Sequence, residues 1–300
     1  MTKLRSYEGI ELLRLISIVG VVWFHTKGLP LKEVAYSGLV SFIVISLVLT
    51  GIYQSRNTFT EICGKKARRL LLPWAIWFGI YLLLNLIGGK RPLPSDLDLA
   101  STILAGPWIG LWFLPFLFFA SLIGWYCCQK SRGFRSPIFY WTFFFLGIGT
   151  LLGADYLRNF GISVPWAQWI HAIPAIPFSI CLVLLINRDA SWRWYLMLCA
   201  GPVFYTVFSK NSDPGLGIPY LIAIPFAHIA FRMKFKLPNF LLSVSSAVMG
   251  VYLVHGITLA IFSRLSLVNH SPYLIFLSTL ASAFFISFLI GRSRIAQFLF

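Results

Sequence analysis

Two ionisable residues, an arginine and a histidine, stand out within a mainly apolar stretch. The segment ELLRLISIVGVVWFH, Glu11 to His25, carries Arg14 near one end and His25 at the other. A third such residue, His255, lies in the apolar run GVYLVHG. An imidazole with an unperturbed pKa of about 6.5 can take a proton near neutrality, and a guanidinium grips phosphate or carboxylate in a fixed fork. Farther along, KKARRLLLP (Lys65 to Pro73) gathers Lys65, Lys66, Arg68 and Arg69 within five residues. Such a run suits a polyphosphate, and it equally suits anchoring at a membrane face. No Gly-rich phosphate loop, HExxH motif or carboxylate cluster accompanies these groups. Cys63, Cys127, Cys128, Cys181 and Cys199 show no CxxC spacing and read as apolar filler or free thiols, so no metal site is expected.

The elements that must hold these groups are membrane helices. The 300 residues are 58% hydrophobic and 11% charged, against about 25% charged in an ordinary soluble domain. Apolar stretches of spanning length fall near 10–27, 36–53, 70–88, 108–127, 137–154, 168–187, 192–209, 216–231, 240–262 and 272–290. Prolines interrupt the sixth (Pro174, Pro177) and the eighth (Pro219, Pro225). The expected fold is therefore all-α, a polytopic bundle of about ten transmembrane helices forming one domain over residues 1–300.

Charge fixes the expected orientation. Placed on alternating loops, 17 lysines and arginines fall on one side and seven on the other, with Arg14 completing the 25. The positive-inside rule then puts both termini in the cytoplasm. The net charge of +16 thus reads as a topology signal, and nucleic acid is not an expected partner. The longest connection, from Gly88 to Pro107, has room for a short interfacial helix capped at Ser95.

Helical phase links the polar residues. Eleven residues at about 100° each return within roughly 20° of three full turns, so Arg14 and His25 share a face with Ile18 and Val21 between them. Glu11, three residues before Arg14, is an expected ion-pair partner. His25 and His255 each fall about 22 Å along their helices from the cytoplasmic end, and so at one level. Snorkelling to headgroups or an interfacial position would account for Arg14 and His25 singly; the shared level favours a common polar pocket. His171, His228 and His270 read as interfacial or satisfied. Trp112, in GPWIGLWFLPFLFF, is either belt or pocket floor.

Together these segments resemble the acyltransferase-3 family of integral-membrane acyltransferases. LRLISIVGVVWFH, SFIVISLVLTG, KKARRLLLP, LWFLPFLF and YLVHG carry the resemblance in order along most of the chain. It implies O-acyl transfer from a cytoplasmic acyl-CoA co-substrate, usually acetyl-CoA, to a hydroxyl of a carbohydrate, cell-envelope glycan or lipid-linked sugar. Arg14 and His25 are implied as the essential pair, with His255 in the site region. Lys65, Lys66, Arg68 and Arg69 are implied at the donor, and Ser46, Trp112 and Tyr252 are assigned to the substrate. The implied location is a bacterial inner membrane, multi-pass, with no bound cofactor.

Two departures stand out. Relatives with Ser-Gly in the second span have Ser46-Leu47 here, so a close backbone approach is expected to be lost at that point. An Arg-x-x-Arg is approximated either by Lys65 and Arg68 or by Lys66 and Arg69.

The chemistry expected is proton removal from the hydroxyl by His25, with His255 orienting it or the substrate; direct transfer and an acyl-His25 intermediate both remain open. Trp108, Trp166, Trp169 and Tyr220 offer faces for sugar rings, and Asp96, Asp98, Asp155 and Asp213 offer carboxylates for hydroxyls. A transporter or flippase for a glycan or lipid-linked sugar is the alternative, since it too needs buried ionisable groups and broken helices. The oligomeric state stays open, a homodimer included.

Overall fold

The computed structural model describes residues 8–54, 56–94, 96–131, 137–188, 190–208, 214–233, 236–265, 271–293 and 299. Among these residues every regular element is helical. In chain order they are α1 (Glu8–His25), α2 (Lys32–Leu49), α3 (Phe59–Lys66), α4 (Leu72–Ile87), α5 (Leu99–Ala105), α6 (Phe113–Ser131) and α7 (Pro137–Arg158). Then come α8 (Trp166–Ala172), α9 (Ala175–Asn187), α10 (Trp192–Phe208), α11 (Pro214–Arg232), α12 (Asn239–Ser246), α13 (Val248–Phe262) and α14 (Pro272–Gly291). π-helical turns at Thr50–Gln54 and Ala67–Leu71 extend α2 and join α3 to α4, and a 3-10 turn at Ile109–Trp112 opens α6.

Each of the ten apolar stretches contains a helix among its described residues, but they are not alike. Among the described residues six runs are long and apolar enough to cross a bilayer: Lys32–Gln54, Phe59–Ile87, Ile109–Ser131, Pro137–Arg158, Trp166–Asn187 and Pro272–Gly291. The bent pair α12 and α13 makes a seventh. α1 carries Glu8, Glu11 and Arg14 in its 18 residues. α10 has 17 residues with Pro202 inside, and the apolar part of α11 is Leu216–Arg232. Length and hydropathy alone thus mark six or seven crossings rather than ten.

Three boundaries differ from the sequence expectation, each for a local reason. The third stretch begins at Phe59, because Thr58 and Glu61 form a reciprocal capping box ahead of it. The basic run therefore lies within a helix and not in a loop. Thr58→Ala is expected to cost about 1 kcal/mol of stability by freeing that first turn, readable as a lower unfolding midpoint in detergent. The ninth stretch is not one rod: α12 and α13 meet at Ala247 with a bend of 58°. The helix in the long connection is α5, capped by Asp98, whose carboxylate accepts from the Ser101 N–H at 2.9 Å and from the Ser101 hydroxyl. These bonds hold the Asp98 carboxyl below the usual carboxylate range. Ser95 lies outside the described residues.

Small residues fix α1. A Cβ at Gly20 would stand 2.8 Å from the Ala35 carbonyl oxygen of α2, and one at Gly38 would collide with the Ser17 carbonyl. Gly9 meets the Ala230 carbonyl of α11 in the same way. Backbone contact of this kind is how helices pack where lipid removes the hydrophobic drive between them. The far end of α1 is closed by Lys32. Its ammonium donates to the carbonyls of Trp23 (3.1 Å), Phe24 (2.7 Å) and Thr26. The last carbonyls of a helix are where partners run short, and the charge opposes the helix dipole favourably. Leu31, in the left-handed region at φ 56°, makes the turn that returns Lys32 to that position.

Candidate active site

Two cavities open along the buried face of α1. One, of about 200 Å³, is lined by Arg14 together with Ser46, Thr50, Gln54, Lys66, Arg69, Ser246 and Tyr252, between apolar walls that include Phe42, Leu49 and Phe113. The other, of about 450 Å³, is lined by His25 with Lys32, Glu33, Tyr36, Trp112, Gln168 and His171. Trp112 faces the His25 cavity and the next residue, Phe113, faces the Arg14 cavity. Neighbouring aromatic residues thus line different cavities, and Tyr252, which lines the Arg14 cavity, donates its hydroxyl to the Gly110 carbonyl at 2.6 Å. Ile18 and Val21, 0% and 2% exposed, fill the stretch of α1 between Arg14 and His25.

At the Arg14 cavity the charges come from α1 and from the continuous helical run Phe59–Ile87. Arg14 donates to Glu11 at 3.0 Å, and the Ser245 hydroxyl at the end of α12 donates to the same carboxylate. Lys66, 6% exposed, donates to the Thr50 hydroxyl at 2.6 Å, and Thr50 donates on to the Ser46 carbonyl at 2.7 Å. Arg69 sits solvent-exposed at the rim. Lys65 and Arg68 are exposed and do not line the cavity. Of the two approximations to Arg-x-x-Arg, Lys66 and Arg69 are the pair that shares the face turned inward. Arg14, Lys66 and Arg69 against one carboxylate leave a net charge of about +2, an environment for an anion such as phosphate.

His25 lines its cavity and His255 does not; the two imidazoles stand 5.3 Å apart between centroids. His255 is fully buried. Its Nδ1 lies 2.6 Å from the Tyr252 carbonyl, which only accepts, so Nδ1 carries the proton. Nε2 then bears the lone pair, is buried and has no hydrogen-bond partner.

Trp108 sets the pose of His255: it lies edge-on to it at 5.0 Å, stacks on Tyr81 at 4.9 Å, and Tyr81 donates to the Leu253 carbonyl at 2.9 Å. Glycine succeeds His255 because a Cβ at Gly256 would stand 2.5 Å from the Trp108 ring and 2.6 Å from the Tyr81 hydroxyl. Gly256→Ala is expected to push Trp108 off this seat and cut turnover at least about tenfold, far more than its effect on folding; paired turnover and melting measurements check it.

Several sequence expectations end differently. Trp108 is not a free sugar platform, since Tyr81 and His255 occupy it. Tyr220 is 1% exposed and donates to the His171 carbonyl. Trp166 donates to Ser101, and Trp169 packs on Phe116. Asp98 caps α5, and Asp213 and His270 lie outside the described residues. His228 stacks on Tyr195 at 3.4 Å, away from both cavities. The close approach expected to vanish at Ser46-Leu47 occurs one turn on. A Cβ at Gly51 would stand 2.8 Å from the Cys128 sulfur and from Val183. Thr50, Gln54, Lys32 and Tyr81 did not stand out in the sequence.

The acyltransferase-3 family profile, described as an acyltransferase domain, matches residues 7–292. The chain belongs to the acyltransferase-3 family. No curated protein and no solved structure matches it significantly. The protein is thus a membrane acyltransferase, and the match extends from α1 to α14, so both cavities of this acyltransferase lie inside the family domain. Among its described residues no group of histidines, cysteines and carboxylates is arranged to hold a metal ion.

Proposed function

We propose that this acyltransferase moves an acyl group, acetyl in the first instance, from a cytoplasmic acyl-CoA to a hydroxyl of a cell-envelope carbohydrate or lipid-linked sugar. The observation that carries the reading is the pairing of a cationic cavity with a histidine cavity along one helix face. In this reading the helices make ten crossings with both termini in the cytoplasm of a bacterial inner membrane, so the Arg14 cavity opens to the donor and the His25 cavity to the acceptor. Lys66 and Arg69 hold phosphate groups of the donor, with Arg14 behind them. Ser46 and Tyr252 line the path of the acyl arm, and Trp112 borders the acceptor.

The reaction needs a base, because a sugar hydroxyl is a poor nucleophile at neutral pH. His25 takes the hydroxyl proton as the oxygen bonds to the thioester carbonyl carbon. The tetrahedral adduct then breaks its C–S bond, expelling the thiolate of CoA, which recovers the proton from the His25 imidazolium. Ester and free thiol leave with no net change in protons. Nε2 of His255 is free to accept a hydrogen bond from the His25 N–H, and so orients the His25 imidazole against the hydroxyl. Thr50 and Glu11 are positioning residues: one holds Lys66 and the other holds Arg14.

Mass spectrometry of envelope glycans tests the assignment. Cells expressing the chain are expected to carry an acetyl-sized increment on one polymer that vanishes when the gene is deleted. Identical glycans in the two strains would overturn it.

A further inference from the structure

One wall of the Arg14 cavity is a polar stripe on an apolar helix, tied to the basic residues by the Lys66–Thr50 hydrogen bond. Ser46, Thr50 and Gln54 recur every four residues along α2 and its π-helical extension, and all three line the cavity. One face of a helix presents residues at that spacing, and the stripe runs roughly 12 Å along the wall. Thr50 is engaged by Lys66. Gln54 is not satisfied: its side-chain carbonyl oxygen is shut off from solvent and has no hydrogen-bond partner. Buried amide oxygens are normally paired; Gln54 lines the cavity, so a turn of its amide brings the unpaired oxygen to a ligand that supplies the missing N–H or O–H.

The surroundings of Gln54 define the chemistry of that ligand. Lys66 and Arg69 supply charge for phosphate, with Arg69 at the exposed rim. Phe42, Ile45, Leu49 and Phe113 supply apolar walls farther in. A molecule with phosphates at one end and a chain alternating methylenes with amides at the other meets all three demands. The pantetheine arm of CoA is such a chain; a phospholipid headgroup lacks the amides.

We propose that Gln54 recognises the donor arm, its Oε1 accepting a hydrogen bond from a pantetheine amide N–H while Lys66 and Arg69 hold the phosphates. This rests on the donor reading above and extends it from the nucleotide end to the arm. Gln54 is then a specificity residue that separates CoA thioesters from nucleotides of the same charge.

Binding to the purified full-length protein in detergent tests it with two probes. One is CoA and the other 3′-phospho-ADP, which has the phosphates and base without the arm. Gln54→Met, with Gln54→Leu as a second variant, is accepted for measurement when its elution and melting midpoint match wild type. The expected result is about tenfold weaker CoA binding, the scale of one lost hydrogen bond, with 3′-phospho-ADP unchanged. Lys66→Gln is expected to weaken both probes. CoA binding unchanged in a folded Gln54 variant, or both probes weakened equally, overturns the proposal. Wild type that binds neither probe overturns instead the donor reading beneath it.

Discussion

His25→Ala is expected to lower the turnover of acyl transfer by about 10²–10⁴-fold, the usual contribution of a positioned general base. The fold should survive the change, because His25 is only part-buried and faces a cavity rather than a packed layer. The Lys32 ammonium caps the same helix end through the carbonyls of Trp23, Phe24 and Thr26, none of which belongs to the His25 side chain. Elution and melting midpoint should therefore stay near wild type while kcat falls. Donor binding should also stay near wild type, since the Arg14 cavity has no wall in common with His25. This split between kcat and donor affinity separates a chemical role from a structural one. Wild-type turnover in a folded His25→Ala protein would remove His25 from the reaction.

Gly38→Val should act through the backbone. A Cβ at Gly38 collides with the Ser17 carbonyl, and carbonyl backbone cannot swing aside as a flexible side-chain tip does. Two added methyl groups enlarge the collision, so α1 must separate from α2. Overpacking of this kind costs typically about 1–3 kcal/mol. Here the cost carries a functional consequence, because α1 bears Arg14 and His25 while α2 and its extension bear Ser46, Thr50 and Gln54. Separation widens the Arg14 cavity and breaks its register with Lys66. The expected outcome is a lower melting midpoint together with loss of both CoA binding and turnover, measured by a thermal melt, a binding titration and an activity assay on one preparation. An unchanged midpoint with full turnover would contradict the close packing of these two helices.

Much of the arrangement was legible in the sequence where simple periodicity governs it. The phase of Arg14 and His25 along one helix, the expected Glu11 partner and the common level of His25 and His255 need only the pitch of an α-helix. Departures from regular helix were not legible in the same way. The π-helical turns at Thr50–Gln54 and Ala67–Leu71 alter the phase of the residues beyond them, so no count along α2 or α3 shows which cations face inward. The 58° bend at Ala247 has no proline or glycine to announce it.

Other features had signals that hydropathy masked. Thr58 and Glu61 spell a capping box, but five basic residues near it read as a loop. Ser46, Thr50 and Gln54 recur at helical spacing, yet each is unremarkable alone. The place of Trp108 depended on Gly110 and Gly256, two glycines from different parts of the chain that leave room for the indole. Such a fit is visible only when the chain has folded.

His25 and the cationic cavity are proposed to serve one acyl-transfer reaction. Purified protein incubated with acetyl-CoA labelled in its acetyl group and with the extracted envelope glycan fraction tests it most directly. Label is expected to pass to glycan with wild type and to remain in the donor with His25→Ala. Label transferred at the wild-type rate by His25→Ala would remove His25 from the reaction, and no transfer by wild type alongside movement of glycan across proteoliposomes without any acyl donor would make the protein a transporter instead.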